Sequence, residues 1–106
     1  FYEVEQFQAV FLNARRRLIA IQRISQGTLD SIVVHPREVF KPAIAANAAS
    51  LVLVHNHPSG DVRPSPADSH LTRTLQQALS TVDIKVLDHI IVGPGTHWSM
   101  AESSPW

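Results

Sequence analysis

The run Ser50-Leu51-Val52-Leu53-Val54-His55 constrains the fold more than any other segment of the chain. It is continuously apolar between its two ends, it is rich in valine, and it lies between two patterns with helical periodicity. Such a run is typical of a buried central strand. Residues 58–61 then bring proline, serine, glycine and aspartate together, and this dense turn chemistry predicts that the strand ends there.

The segments on either side predict a sheet covered by two helices. Further strands are predicted at residues 7–12, 18–24, 31–34, 83–92 and 97–100. The first two are separated only by a polar turn and predict an antiparallel hairpin. Helices are predicted at about 36–49, with a kink or a late start at Pro42, and at 64–82, with Ser65 as cap and Pro66 in the first turn. The order β-β-β-α-β-α-β-β favours an α/β fold with a mixed sheet flanked by helices.

The composition limits the classes of function. A chain of 106 residues forms one domain, covering residues 1–106. Nine basic and nine acidic residues give no net charge, so nothing attracts the whole chain to nucleic acid or to an anionic membrane. The lack of cysteine excludes disulfides, iron–sulfur clusters, cysteine zinc sites and thiol nucleophiles. No membrane-spanning run and no signal peptide are visible, and we expect a cytoplasmic protein.

Two histidines at the end of the predicted central strand form a candidate metal site. Residues two apart in a strand project from the same face, so His55 and His57 point one way and Asn56 the other. Two imidazoles side by side repel each other when protonated, so the pair favours either neutral rings or a bound cation. Zinc binds both neutral imidazole nitrogen and carboxylate oxygen. A catalytic zinc commonly has three protein ligands and a water. Asp68, which the loop brings back in the first turn of the next helix, is the best third ligand for one Zn²⁺ per chain.

Ser65 and Asp68 also have a simpler interpretation. The spacing Ser65-x-x-Asp68 is similar to a capping box, and an aspartate in the first turn suits the helix dipole. In a metal site, Ser65 would instead lie beside the metal-bound water and donate to a developing oxyanion. The combination of a strand-end His-x-His, a tight turn, a serine and a first-turn aspartate is a far more specific signal for a metal site than any one of these features alone.

This segment resembles the JAMM motif of the JAB/MPN metalloprotease superfamily, with His55-x-His57, seven residues and Ser65-x-x-Asp68. Nearly the whole chain is similar to the JAB domain of the bacterial RadC-like proteins. The segments that carry this second resemblance are Phe11-Leu12-Asn13, Gly27-Thr28-Leu29, Pro36-Arg37-Glu38-Val39-Phe40-Lys41, Asn47-Ala48-Ala49, His55-Asn56-His57-Pro58-Ser59-Gly60-Asp61, Pro64-Ser65, Leu71-Thr72 and Leu87-Asp88-His89-Ile90-Ile91. Many RadC-like proteins carry an N-terminal helix-hairpin-helix region, which this chain lacks. Because the chain also starts at Phe1, we expect it to be the C-terminal part of a longer protein.

The resemblance implies a fold and a reaction. The fold is a curved mixed sheet flanked by helices, similar to that of cytidine deaminases. The reaction is the hydrolysis of peptide or isopeptide bonds by a water whose pKa zinc lowers, with Ser65 helping zinc to stabilise the oxyanion. The family also has a glutamate near the start of the first strand, which acts as general base and proton shuttle. Glu5 matches that position, and Glu3, two residues away on the same face, is the alternative.

Two other functions stay open. One is a binding module with a silent metal site, as in MPN relatives that have lost ligands, although the intact ligand set argues against it. The other is an accessory role in DNA repair, which the historical naming of RadC proteins suggests. The balanced charge of this domain gives that role no physical support. The sequence does not identify the substrate beyond a peptide or a protein.

The remaining polar residues carry weaker signals. The pair Asp88-His89 either orients a zinc histidine or forms a hydrogen-bonded interior pair. The run Arg15-Arg16-Arg17 either binds phosphate or forms a charged hairpin tip, and Asp61 is either a spare ligand or a turn residue. Surface or packing positions are expected for His35, His70 and His97.

Overall fold

A five-stranded mixed sheet organises the part of the chain that the computed structural model describes, residues 5–27 and 35–103. The strands lie in the order β2-β1-β3-β4-β5. The elements are β1 (Glu5–Leu12), β2 (Leu18–Gly27), α1 (Pro36–Ala45), β3 (Ser50–Asn56), α2 (Pro66–Ser80), β4 (Lys85–Gly93), β5 (Thr96–Ser99) and α3 (Met100–Ser103). The expected α/β class, with a mixed sheet and flanking helices, is confirmed.

The predicted central strand is β3, which pairs antiparallel with β1 and parallel with β4. Its residues Leu51 and Leu53 are fully buried in a core that includes Phe7, Leu75 and Leu79. Among the even-numbered residues, Val52 and Val54 are only half-buried, because α1 and α2 supply the core on the face of Leu51 and Leu53. The predicted buried central strand is therefore confirmed.

Several element boundaries differ from the sequence-based expectations. The hairpin is confirmed, but β2 continues to Gly27 because that residue still pairs with Glu5 of β1. Helix α1 begins at Pro36 and contains Pro42, so the late start was wrong, and the helix ends at Ala45, short of residue 49. Met100 begins α3 rather than ending β5. The predicted strand at residues 31–34 lies outside the described residues.

The connection from β3 to α2 brings the candidate site residues together at one end of the strands. Residues 57–65 connect the carboxyl end of β3 to the amino end of α2, where Ser65 is the N-cap and Pro66 is the first helical residue. Because β1 runs antiparallel to β3, the start of β1 lies at the same edge. None of the helices in the described ranges is long and apolar enough to span a membrane.

Candidate metal centre

Two histidines and an aspartate meet at the carboxyl end of β3. The rings of His55 and His57 lie edge to face with their centroids 4.8 Å apart, as expected for two side chains on one face of a strand. The Asp68 carboxylate contacts both, with Oδ1 3.3 Å from Nδ1 of His55 and Oδ2 3.5 Å from Nε2 of His57. The loop therefore returns Asp68 to the strand-end histidines.

Glu5 lies at the same edge, on the neighbouring strand. It is 8% exposed, and its Oε2 lies 3.5 Å from Nε2 of His55. Pairing of Phe7 with His55 places the start of β1 beside the end of β3. Ligand atoms of Glu5, His55 and His57 all lie within 4.8 Å of one another, which makes them a group that can hold a metal ion. Glu3, the alternative base, is outside the described residues.

The donor set fits a divalent cation such as zinc. Both ring nitrogens of His55 are buried and form no hydrogen bond within the described part of the chain, and the nearest oxygens are those of Asp68 at 3.3 Å and Glu5 at 3.5 Å. A buried polar atom without a hydrogen bond is costly unless another group, such as a cation, satisfies it. Two ligands on a tetrahedral zinc with bonds of about 2.0–2.1 Å lie roughly 3.4 Å apart. Each histidine is separated from Asp68 by close to that value, but each faces a different oxygen of the carboxylate. The compact group of donor atoms contains Glu5 as its carboxylate rather than Asp68. Neutral imidazole and carboxylate are also the ligand types that zinc prefers when thiolates are absent.

A backbone contact sets the tautomer of His57. Its Nδ1 lies 2.8 Å from the carbonyl oxygen of Asp61, and because a carbonyl only accepts, Nδ1 carries the proton. The other ring nitrogen, Nε2, faces Asp68 Oδ2 and is the atom of His57 that could bind a metal. The Asp61 carboxylate is held by Arg63, which lowers the pKa of Asp61 to about 2. These contacts identify Asp61 as a turn residue that orients His57 through its backbone.

The loop that carries His57 and Asp61 packs closely against the end of β4. Gly60 has a φ of 89°, in the left-handed region where glycine is favoured. Gly93, at the end of β4, faces this loop so closely that a Cβ there would lie 2.8 Å from Cγ1 of Val62 and 3.3 Å from the Gly60 carbonyl oxygen. Residue 93 therefore has to be small if the loop is to keep its place beside His57.

Gly93→Ala is expected to destabilise the protein by about 1–3 kcal/mol, the usual cost of forcing a methyl group into a packed position. Urea denaturation of the chelated protein measures it. In Val62→Ala the clashing Cγ1 is gone, so the same glycine substitution is expected to cost clearly less in that background. Equal costs in the two backgrounds would show that the loop approach does not constrain residue 93.

The capping-box interpretation of Ser65 and Asp68 is the observed one, and the Asp68 carboxylate also faces the two histidines. The Ser65 backbone N–H donates to Asp68 Oδ2 at 2.8 Å, and the Asp68 N–H donates to Ser65 Oγ at 3.1 Å, which completes a capping box. Burial raises the pKa of Asp68, but the His55 ring and the Ser65 N–H outweigh it and keep the pKa well below its usual value. Asp68 is thus an ionised carboxylate shared between the helix cap and the histidines.

In zinc-free protein, Asp68→Ala is expected to lower the free energy of unfolding by about 1 kcal/mol, the typical worth of a capping contact. Asp68→Asn is expected to lose less, because its amide oxygen can still accept from the Ser65 N–H. Denaturation midpoints in urea, with a chelator present, compare the two. Equal losses for alanine and asparagine would show that the contact contributes through charge rather than capping.

A buried threonine and histidine, which the sequence alone did not single out as a pair, underlie the site. The Thr72 hydroxyl donates to the Asp68 carbonyl at 2.8 Å and lies 2.6 Å from His89 Nδ1. Burial lowers the pKa of His89 to about 4, so its ring is neutral near pH 7. The His89 ring lies 6.0 Å from that of His55, centroid to centroid. The spacing of four residues between Asp68 and Thr72 on α2 was the available sequence signal.

The Asp88 carboxylate forms its hydrogen bonds away from the candidate metal centre. Its carboxylate accepts from the Ser99 hydroxyl at 2.5 Å and from the Ala101 N–H at 3.0 Å, which ties β4 to the turn between β5 and α3. The interior hydrogen-bonded interpretation of Asp88-His89 is therefore the observed one. The arginines of the hairpin tip are exposed, as are the other three histidines, His35, His70 and His97.

A family model and several curated proteins match this chain. A family model described as the RadC-like JAB domain matches residues 1–105. A UPF0758 protein of Pseudomonas fluorescens (strain SBW25) is 55% identical over 98 residues, covering 92% of this chain and 44% of the relative. UPF0758 proteins of Nitrosococcus oceani and Azotobacter vinelandii are 52% and 54% identical, over 95% and 92% of this chain and 45% and 44% of their own lengths. The chain spans less than half the length of these curated relatives.

Proposed function

The chain belongs to the RadC-like JAB domain family, and from that premise we propose that it is a zinc-dependent hydrolase of peptide or isopeptide bonds. The observation that carries the proposal is the meeting of two carboxylates on one pair of histidines. Asp68 faces both rings, and Glu5 approaches His55 from the neighbouring strand. One carboxylate can then serve as a metal ligand and the other as a general base, a division that metal-dependent hydrolysis can use.

Each residue of the site has a distinct role in the proposed reaction. Zinc would be held by His55, His57 and Asp68, and when bound it supplies a Lewis acid that lowers the pKa of water. Glu5 accepts the proton of the attacking water at its carboxylate and later delivers it to the leaving amine.

Ser65 stabilises the charge that develops on the carbonyl oxygen. Its Oγ accepts from the Asp68 N–H, so the hydroxyl hydrogen remains able to donate. The serine is exposed at the amino end of α2, where a peptide carbonyl can approach it. A positioned donor of this kind favours the oxyanion over the ground-state carbonyl.

The experiment that tests the proposal is a hydrolysis screen with peptides and isopeptide conjugates. The protein is assayed as purified, after chelation, and after addition of zinc. Cleavage that disappears on chelation and returns with zinc supports the hydrolase. A protein that retains zinc but cleaves nothing across the screen would favour the binding module with a silent metal site. The place of the chain in a longer protein and its cytoplasmic location stay predictions.

Chelation is expected to leave the fold largely intact. The core of Phe7, Leu51, Leu53, Leu75 and Leu79 is fully or almost fully buried without any metal contact, so folding has its own hydrophobic basis. Far-ultraviolet circular dichroism before and after chelation is expected to agree closely. Loss of the helical and strand signal on chelation would instead identify a structural site, which would leave no open position for water.

A further inference from the structure

Asn56 is the last residue of β3 and lies between the two histidines in the sequence. It is 9% exposed, and its Oδ1 accepts from the backbone N–H of Gln6 at 2.5 Å. This contact joins residues 50 positions apart in the sequence and is buried. Gln6 directly follows Glu5, so a side chain of β3 holds the backbone of β1 next to the proposed base.

The contact lies just beyond the last paired residues of β1 and β3. The pairing of β1 with β3 runs from Leu12 opposite Ser50 to Phe7 opposite His55. Beyond that pair, β3 stays with β4, where Asn56 pairs with Val92 and the His57 N–H donates to the Val92 carbonyl. The Asn56 side chain crosses from β3 to β1 at the place where the ladder between these two strands stops.

On its other side, the start of β1 is held by β2. Glu5 pairs with Gly27 and Gln6 with Gln26. With β2 on one side and Asn56 on the other, the backbone at Glu5 and Gln6 is fixed on both sides. A strand start fixed in this way can keep Glu5 Oε2 at 3.5 Å from His55 Nε2.

We propose that Asn56 is a positioning residue that fixes Glu5 at the site through the Gln6 backbone. The proposal rests on the proposed function for its catalytic consequence, but not for its structural one. A shift of about 1 Å in a reacting group can cost roughly 100-fold in rate, so a residue that holds the base without touching substrate can still govern turnover.

The structural test is amide hydrogen exchange at Gln6, measured by NMR on the whole chain without metal or substrate. Asn56→Ala is expected to speed exchange of this amide roughly 3- to 10-fold, the range that corresponds to one lost hydrogen bond. Asn56→Asp keeps an oxygen acceptor and is expected to restore slow exchange. Val54→Ala is the matched control, because it alters the same strand and face without the Gln6 contact, and it is expected to leave the amide unchanged. Unchanged exchange in Asn56→Ala overturns the proposal.

The catalytic test uses a double substitution and whichever substrate the screen provides. Asn56→Ala is expected to lower kcat by roughly 10-fold or more, with KM and zinc content unchanged. In a Glu5→Gln background it is expected to lower kcat no further, because it acts through Glu5. An additional full loss in that background would overturn the assigned route. If no hydrolysis is found, the proposed function fails, whereas the exchange result at Gln6 still decides the role of Asn56.

Discussion

His57→Ala is expected to lose stoichiometric zinc while the fold is retained. The Nε2 of His57 lies 3.5 Å from Asp68 Oδ2, and the Asp61 carbonyl holds the opposite ring nitrogen. Losing a supporting contact at a metal ligand already costs about 10- to 100-fold in affinity, so losing the ligand itself costs more. Elemental analysis of desalted protein, loaded with zinc at neutral pH, measures the stoichiometry. Acid conditions are avoided because protonated histidine releases metal.

His97→Ala is the matched control for this measurement. His97 is an exposed histidine on β5 and belongs to none of the contacts of the site. The control is expected to bind as much zinc as the unaltered chain. Stoichiometric zinc in His57→Ala would show that the ligand assignment is wrong, and would direct attention to Glu5 and His55 as the remaining members of the compact donor group.

The face from which the two histidine side chains project could be predicted from the periodicity of a strand. A strand repeats every two residues, so the sequence placed His55 and His57 on one face, and the rings do lie 4.8 Å apart. The helix-start signals at Ser65 and Pro66 were also local, and the capping box confirmed them. Because the cap fixes where α2 begins, these signals correctly placed Asp68 in its first turn. The structure shows that this turn lies beside the two histidines.

The contacts of Asn56, Thr72 and Asp88 could not be obtained in this way. They join residues 50, 17 and 13 positions apart, and local patterns fix the face of a side chain but not its partner across the fold. The end of β5 shows the same limit. Met100 follows a strand pattern in the sequence, yet the Asp88 carboxylate binds the Ala101 N–H and the chain turns into α3. Tertiary hydrogen bonds decide such boundaries over local propensity.

Glu5→Gln is expected to lower turnover by roughly 10²–10⁴-fold, the usual contribution of a general base. The amide has nearly the size of the carboxylate and can still reach His55, but it cannot accept the proton of the attacking water. Zinc content is expected to stay stoichiometric, since the ligands of the proposed site are His55, His57 and Asp68. The measurement is kcat with a substrate found in the hydrolysis screen, beside elemental analysis of the same preparation.

The control for Glu5→Gln is Glu102→Gln, which makes the same chemical change at an exposed position of α3 and is expected to keep full activity. The pair of measurements separates three results. Loss of turnover with zinc retained assigns the base to Glu5. Loss of zinc together with turnover would make Glu5 a metal ligand, as its place in the compact donor group also allows. Full activity in Glu5→Gln would remove this residue from the mechanism and shift the search to Glu3 or Glu38.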